Sequence, residues 1–463
     1  MDQNLRFFFE PKSVAVVGAS RVPGKAGYCV IENLIANEYP GKIYPVNPNA
    51  NEILGYKAYG SIASLPEIPD VAIVVIPAAS TVNAVKECAS KGVRTVVIAS
   101  GGFAEVDEHG AEAQREIAEV ARRSGMRIIG PNTSGIISAP DGFTTTFFPL
   151  GKIRRGSVSY IAQTGNFATH TMKWVLTSEN YGVSRVIGLG NKCDVDDADA
   201  LEFLGDDAET RVICMYVEGF TNGRRFLEIA SRVSKKKPII ALKGGATTAG
   251  AKAAFSHTAS LASNNSIVDA AFKKAGIVRV HRYTDLINAA KALAFQPLPK
   301  GNRVAILAPS GAMGVIAADA CERLGLKVGD LSDQTLRKIS DMSPDWIKMG
   351  NPVDIWAPVQ LHGLEKAYSD GIEAVLEDGK IDSVISIVML TEEYSSVNLE
   401  FIPLASQKHP DKPLMVSVTG DKHFFDKAKA FLENRSIPVY PPVEDACEAL
   451  AIMYQCSRIS RAI

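Results

Sequence analysis

His257 stands in the run Phe255-Ser256-His257-Thr258-Ala259-Ser260-Leu261-Ala262, shortly after Gly244-Gly245-Ala246-Thr247-Thr248-Ala249-Gly250. It is one of seven histidines, and the one embedded in Ser, Thr, Ala and Gly. Such small neighbours leave room for a bulky anion on the ring. Imidazole titrates near ~6.5, so at neutral pH the ring is largely uncharged and nucleophilic. The chemistry this allows is transient phosphorylation. The plainer alternative is a loop histidine with ordinary hydrogen bonds. Glu218 is a suitable companion, because it closes an apolar run and precedes Gly219. A carboxylate against one ring nitrogen fixes the tautomer and stabilises charge when the other nitrogen is phosphorylated. The alternative for Glu218 is a strand-end cap or a surface ion pair.

Short β-branched runs alternate with longer helical patterns, which predicts parallel α/β domains. Strands are expected at 13–19, 42–47, 71–76, 95–100 and 127–130. A stretch punctuated by Pro and Gly follows, around 131–156. A second set is expected at 157–162, 185–190, 211–218, 238–243 and 277–280. After a break at 296–302 a third set falls at 303–308, 327–331, 383–390, 413–420 and 437–440. Length and pattern together suggest three domains, at 1–135, 150–295 and 302–463.

Each set opens with a buried strand, small residues and a helix: Val16-Val17-Gly18-Ala19-Ser20, Tyr160-Ile161-Ala162-Gln163-Thr164-Gly165-Asn166 and Ile306-Leu307-Ala308-Pro309-Ser310-Gly311-Ala312-Met313-Gly314. Ligands of open parallel sheets bind beyond the strands' carboxyl ends. Free N–H groups and the helix dipole favour anions there. The alternative is three tight turns that use Gly for sterics alone. Thr164, Gly165 and Asn166 are the candidates for holding a phosphoryl group. Gly311, Ala312 and Met313 are candidates to grip the same group from the other side. Gly350-Asn351-Pro352-Val353-Asp354 reads as a turn, with a positioning role or none beyond its geometry.

The first domain lacks a G-x-G-x-x-G fingerprint. Its second strand ends Pro45-Val46-Asn47-Pro48-Asn49, without the acid that holds a ribose in NAD sites. A different adenosine-phosphate ligand fits better. Gly18, Ser20, Lys25, Pro45, Asn47, Lys57, Ile76, Pro77, Ser100, Gly101 and Asn132 are the candidate cofactor-binding residues. For Lys25 and Lys57 the commoner role is a solvated surface lysine.

Composition excludes several classes. Formal net charge is −1 and no basic block is interleaved with aromatics, so nucleic acid is not expected as a partner. The seven cysteines form no C-x-x-C pair, which suits reduced thiols in the cytoplasm and predicts no metal site. No apolar run reaches the ~18 residues of a membrane span, and no signal-peptide pattern opens the chain. No G-x-x-x-x-G-K-[ST] loop occurs. If ATP is handled, its site is expected on another subunit.

Taken as an ordered set, these motifs resemble the α subunit of the NDP-forming (ADP-forming) acetyl-CoA and acyl-CoA synthetases, relatives of succinyl-CoA synthetase. The resemblance runs through Val16–Ser20 with Pro23-Gly24-Lys25, Tyr44–Pro48, Ser100–Phe103, Gly130–Asn132, Gln163–Gly165, Gly190–Lys192, Glu218-Gly219, Lys243–Gly245, Ser256–Ala262, Pro309–Gly314 and Gly350–Asp354. Ala259 departs from it, where many relatives have Gly. The resemblance implies a Rossmann-like CoA-binding domain followed by two flavodoxin-like domains. It implies coenzyme A and phosphate as ligands, with His257 as phosphoryl carrier and Glu218 beside it. It implies conversion of acyl-CoA, ADP and phosphate to free acid, ATP and CoA. An ATP-grasp β subunit, in an α2β2 heterotetramer, would hold ADP/ATP and Mg2+. Two readings stay open beside it: a ligase for another acid (succinate, branched or aryl), and a non-catalytic CoA-binding regulatory protein. His257 is expected on a mobile loop, with 244–254 supplying the small residues for its motion.

Overall fold

A computed structural model describes residues 5–165, 167–258, 265–394 and 397–461; of residues 168 and 254–258 it describes the backbone alone. The chain forms two compact units, Met1–His281 and Arg282–Ile463.

The first unit contains two sheets. One has the spatial order Lys42–Val46, Ser13–Val17, Val71–Val74, Thr95–Ile98, Arg127–Ile129, all parallel. The core of the other is Ile277–Val280, Ile239–Lys243, Val212–Val217, Arg155–Ala162 and Val183–Gly188, again parallel. Numbered within each sheet, both orders are 2-1-3-4-5, the doubly wound flavodoxin-like arrangement. Its direction reverses between the first and third strands, where a crevice opens. The strands are continuous apolar runs because both faces are covered; every residue of Ser13–Val17 is buried.

The two sheets share one core. Val14, Ile73 and Ile129 belong to the same buried cluster as Ile161, Ile213 and Ile239. Polar ties reinforce it. Asn33, in the helix Ala26–Ala36, donates to the carbonyls of Thr146 at 2.8 Å and Phe148 at 2.7 Å, and accepts from the Leu150 amide at 3.1 Å. Arg127 pairs with Asp194 and Asp199, each at 2.9 Å.

The second unit holds the third sheet: Lys327–Val328, Arg303–Ala308, Ser383–Leu390, Leu414–Gly420 and Val439–Tyr440, parallel and again 2-1-3-4-5. The helix Tyr283–Phe295, expected with the second domain, packs here against Val443–Arg461. Its Lys291 is buried, donates to the Val439 carbonyl at 2.7 Å, and pairs with buried Glu433 at 2.9 Å.

All fifteen expected strands form, several of them shorter at one end. Three short features were not foreseen. An antiparallel pair, Ile136–Ser138 with Phe143–Thr144, extends the second sheet inside the stretch read as a break. A two-residue strand, Val353–Asp354, pairs beside Arg303–Ala308 where a turn was expected. Glu52–Ile53 and Tyr56–Lys57 make a hairpin. Each strand is too brief to show a period. Among the described residues no helix is long and apolar enough to cross a membrane.

Candidate active site

At the switch point of the first sheet the strand Ser13–Val17 turns out at Gly18, which has φ +91°. A Cβ there would stand 2.6 Å from Ile76 Cγ2 and 2.7 Å from the Val75 carbonyl oxygen. Only glycine lets these two strand ends approach so closely. Asn47 then staples the second strand's exit to the first: its Nδ2 donates to the Ala19 carbonyl at 2.7 Å, and its Oδ1 accepts from the Asn49 amide at 2.7 Å. The outcome is an open cavity of about 830 Å³ at the strands' carboxyl ends.

Gly18, Ser20, Asn47, Ile76 and Pro77 line this cavity, as the sequence predicts. Six candidates do not: Pro45, Lys25, Lys57, Ser100, Gly101 and Asn132. Pro45 is buried within its strand and its carbonyl accepts from the Tyr59 amide at 2.9 Å. Lys25 is the exposed residue at the start of the helix Ala26–Ala36. Lys57 is exposed on the hairpin, its Nζ 5.4 Å from the Tyr59 ring centroid. One wall escaped the sequence reading: Ser80, Asn83, Ala84 and Glu87 on the helix Ala78–Lys91. Their spacing of i, i+3, i+4 and i+7 was the available signal.

Ser100, Gly101 and Asn132 form a second group. Ser100 Oγ donates to the Ile76 carbonyl, and the Asn132 amide donates to the Ser100 carbonyl at 2.8 Å. Asn132 Nδ2 donates to Asn191 Oδ1 at 3.4 Å, and Asn191 Nδ2 donates to Glu105 at 2.5 Å and Gln114 at 2.9 Å. Burial pushes the Glu105 carboxyl up, but hydrogen bonds from Asn191 and the Gly102 amide outweigh it and hold the group below its ordinary range.

The second sheet has its own switch point, between Arg155–Ala162 and Val212–Val217. Gln163 follows one strand and Glu218 the other. Gln163 Oε1 accepts from the amides of Glu218 at 2.5 Å and Gly219 at 2.9 Å. Glu218 is 6% exposed, and its Oε1 accepts from the Tyr216 hydroxyl at 3.0 Å. Burial, then the charge of Glu218, pushes the Tyr216 phenol well above its usual value, so it stays a donor. Phe167 stacks on the Tyr216 ring at 5.2 Å. Gly244 allows the next strand's exit to sit against this pair, since a Cβ would lie 2.6 Å from the Tyr216 hydroxyl oxygen. Buried Lys243 donates to the Gly244 carbonyl. Its ammonium is destabilised by burial and by Arg279, with Glu218 opposing.

The helix after Gln163-Thr164-Gly165 does not open as a regular α-helix. It begins with a π-helical turn, Phe167–Thr171, before Met172–Ser178. Such turns are frequent at functional sites. The Gly165 carbonyl accepts from Thr169 Oγ1 at 2.9 Å. Asn166 lies outside the described residues.

Residues 244–254 were expected as a loop. Instead a helix spans Thr248–Thr258, after the strand Ile239–Lys243, and His257 is its penultimate residue. Thr247 starts it: its Oγ1 accepts from the Gly250 amide at 3.1 Å. The His257 side chain lies outside the described residues. Glu218 and the helix carrying His257 thus leave neighbouring strands of one sheet at the same edge.

In the second unit, Ser310 caps the helix Gly311–Arg323, its Oγ accepting from the Met313 amide at 3.4 Å. The Asp354 carboxylate lies beside Gly311. The Met313 amide and part of the dipole are therefore already engaged, leaving Gly311 and Ala312 as first-turn donors without an intrahelical acceptor. Asn351 is structural. Its Oδ1 accepts from the Ile306 amide at 2.9 Å, and its Nδ2 donates to the carbonyls of Val304 and Gly329, each at 2.8 Å.

Three family models match in series. They are a CoA binding domain over residues 12–139, a succinyl-CoA ligase like flavodoxin domain over 155–293, and a ligase-CoA domain over 304–463. Fold and site together therefore place the chain in the class of CoA ligases built from parallel α/β modules. The α subunit of an ADP-forming acetate–CoA ligase I from Pyrococcus furiosus is 38% identical over 461 residues, covering 98% of both chains. An ADP-forming acetate–CoA ligase II from Archaeoglobus fulgidus is 43% identical over 96% of this chain, which spans 66% of that longer protein. A dinucleotide-forming acetyl-CoA synthetase from Ca. Korarchaeum cryptofilum, solved with phosphate and ADP, superposes with a TM-score of 0.91 at 32% identity, covering 99% of this chain and 98% of that one. The chain belongs to the α subunits of the ADP-forming acetate–CoA ligases, a ligase family.

Proposed function

We propose that this chain performs the acyl-CoA and phosphohistidine steps of a reversible ligase reaction, with acetyl-CoA as substrate. The observation that carries the reading is the Glu218 turn. Its carboxylate is buried at the second sheet's switch point, on the same edge as the helix bearing His257. The cavity lined by Gly18, Ser20, Asn47, Ile76 and Pro77 would hold the nucleotide end of coenzyme A.

In the first step a phosphate oxygen attacks the thioester carbonyl, the C–S bond breaks, and CoA leaves as the thiol. The product is acyl phosphate. A ring nitrogen of His257 then attacks phosphorus, the P–O bond breaks, and free carboxylate leaves. Glu218 against the other ring nitrogen would hold the tautomer and balance the developing charge. Phosphoryl transfer needs in-line placement and charge stabilisation more than covalent help. Thr164, Gly165 and Asn166 would supply backbone donors to the phosphoryl oxygens. Finally the phosphohistidine gives its phosphoryl group to ADP, making ATP. That step would take place with an ATP-grasp β subunit, which would hold ADP and Mg2+ in an α2β2 heterotetramer. The absence of a P-loop in the sequence and the α-subunit relatives support this partner. Seven cysteines without a disulfide among the described residues suit a cytoplasmic protein.

The test is reconstitution with a nucleotide-binding subunit of this family. ATP formation from acetyl-CoA, ADP and phosphate is expected, and loss of ATP formation on His257→Ala. Full activity of His257→Ala would end the proposal. CoA binding with no turnover of any acyl-CoA would favour a regulatory role instead.

A further inference from the structure

We infer that Lys192, paired with Asp197, is a positioning residue for the phosphoryl-transfer centre, because it grips the Gly219 carbonyl and so fixes the turn that carries Glu218. The inference deepens the function proposed above and rests on it.

Lys192 follows the strand Val183–Gly188, and its side chain is 7% exposed. Its Nζ lies 2.7 Å from Asp197 Oδ2 and donates to the Gly219 carbonyl at 2.8 Å. Asp197 is 2% exposed and opens the helix Asp197–Asp206. Its second oxygen is buried and has no partner among the described residues. Lys192 is therefore the principal charge balancing it, with the helix's positive end behind.

Two features call for an explanation other than stability. A buried ion pair is seldom more stabilising than apolar residues of the same shape. Lys192 also has φ +56°, a left-handed conformation that costs a side-chain-bearing residue energy and persists where its surroundings demand it. The location supplies the explanation. Gln163 Oε1 holds the amides of Glu218 and Gly219 on one side, while Lys192 holds the Gly219 carbonyl on the other. A two-residue turn gripped at both amides and at its carbonyl cannot swing. The Glu218 carboxylate, further held by Tyr216, is thereby aimed at one place. Small errors in such aim are costly in catalysis.

The test uses the whole chain with acetyl-CoA and phosphate, reading the rate of His257 phosphorylation and the KM for acetyl-CoA. Wild-type protein must first label at His257, alone or with the family's nucleotide-binding subunit present; if it labels in neither case, the proposed function fails and this inference falls with it. Lys192→Met should then lower the labelling rate by about tenfold or more and leave KM within about twofold. Lys192→Arg should restore most of the rate. Asp197→Asn carries the same expectation for rate and KM, and serves if Lys192→Met does not fold. A folded Lys192→Met or Asp197→Asn protein with the wild-type rate would overturn the inference while leaving the proposed function intact.

Discussion

Glu218 and Gly18 depend on different kinds of physics. Glu218 is a charge whose value lies in its placement. Replacing it with glutamine keeps the shape and the Tyr216 contact but removes the charge that would balance a phosphorylated imidazole. Glu218→Gln should slow His257 phosphorylation by about 10²–10⁴-fold, the usual worth of a positioned acid or base, with CoA binding unchanged. Rapid-quench labelling would check this. Gly18 acts through space. Gly18→Ala meets both a positive φ and the Ile76 and Val75 atoms, so a loss of about 1–3 kcal/mol or more is expected from strain at that one residue. Urea unfolding and CoA titration should both register it.

The elements bring these residues to their edges, and single polar side chains tie the elements together. Asn33→Ala would remove three hydrogen bonds between the helix Ala26–Ala36 and residues 146–150. It would strand buried backbone groups, costing about 2–4 kcal/mol. In the second unit, Glu433→Ala would leave the Lys291 ammonium buried without its carboxylate, and about 3–5 kcal/mol is expected. Denaturant midpoints would measure both. The strands were legible in the sequence because parallel strands are covered on both faces and so read as unbroken apolar runs. The Gly18 and Gln163 turns were legible for the same reason, lying directly after such runs. The Ile136–Ser138 hairpin was not, since Pro140 and Gly142 dominate its turn and its strands are too short for a pattern. Lys25 and Lys57 stand outside the cavity lining, since a lysine's type does not set the direction its turn faces. Gln163 and Tyr216 were missed as members of the Glu218 centre. The Gln163 contact joins different strands, which only strand order reveals, while the Tyr216 contact lies at alternate positions of one strand end.

For the molecule as a whole, acid should act strongly on the second unit. Burial pushes Asp382 up, but hydrogen bonds from the Arg303 side chain and amide outweigh it and depress its pKa. Asp378 behaves alike: burial raises it, and the Ser332 and Lys380 amides more than compensate. A carboxyl depressed in the fold lends stability above its unfolded value of about 3.9, and loses it as pH falls through the lower folded value. Thermal stability should therefore fall below about pH 4, and Asp382→Asn should flatten that fall. A variant that loses stability with acid as steeply as the wild type would remove Asp382 from the account.

In the proposed reaction the acyl-phosphate chemistry of this chain ends on one histidine. Its most direct test is intact and peptide mass spectrometry after incubation with acetyl-CoA and phosphate, held at neutral to alkaline pH because phosphohistidine is acid-labile. One added phosphoryl group at His257, absent in His257→Ala and strongly reduced in Glu218→Gln, is the predicted result. A phosphoryl group on another residue, or none with coenzyme A bound and the family's nucleotide-binding subunit present, would contradict the account.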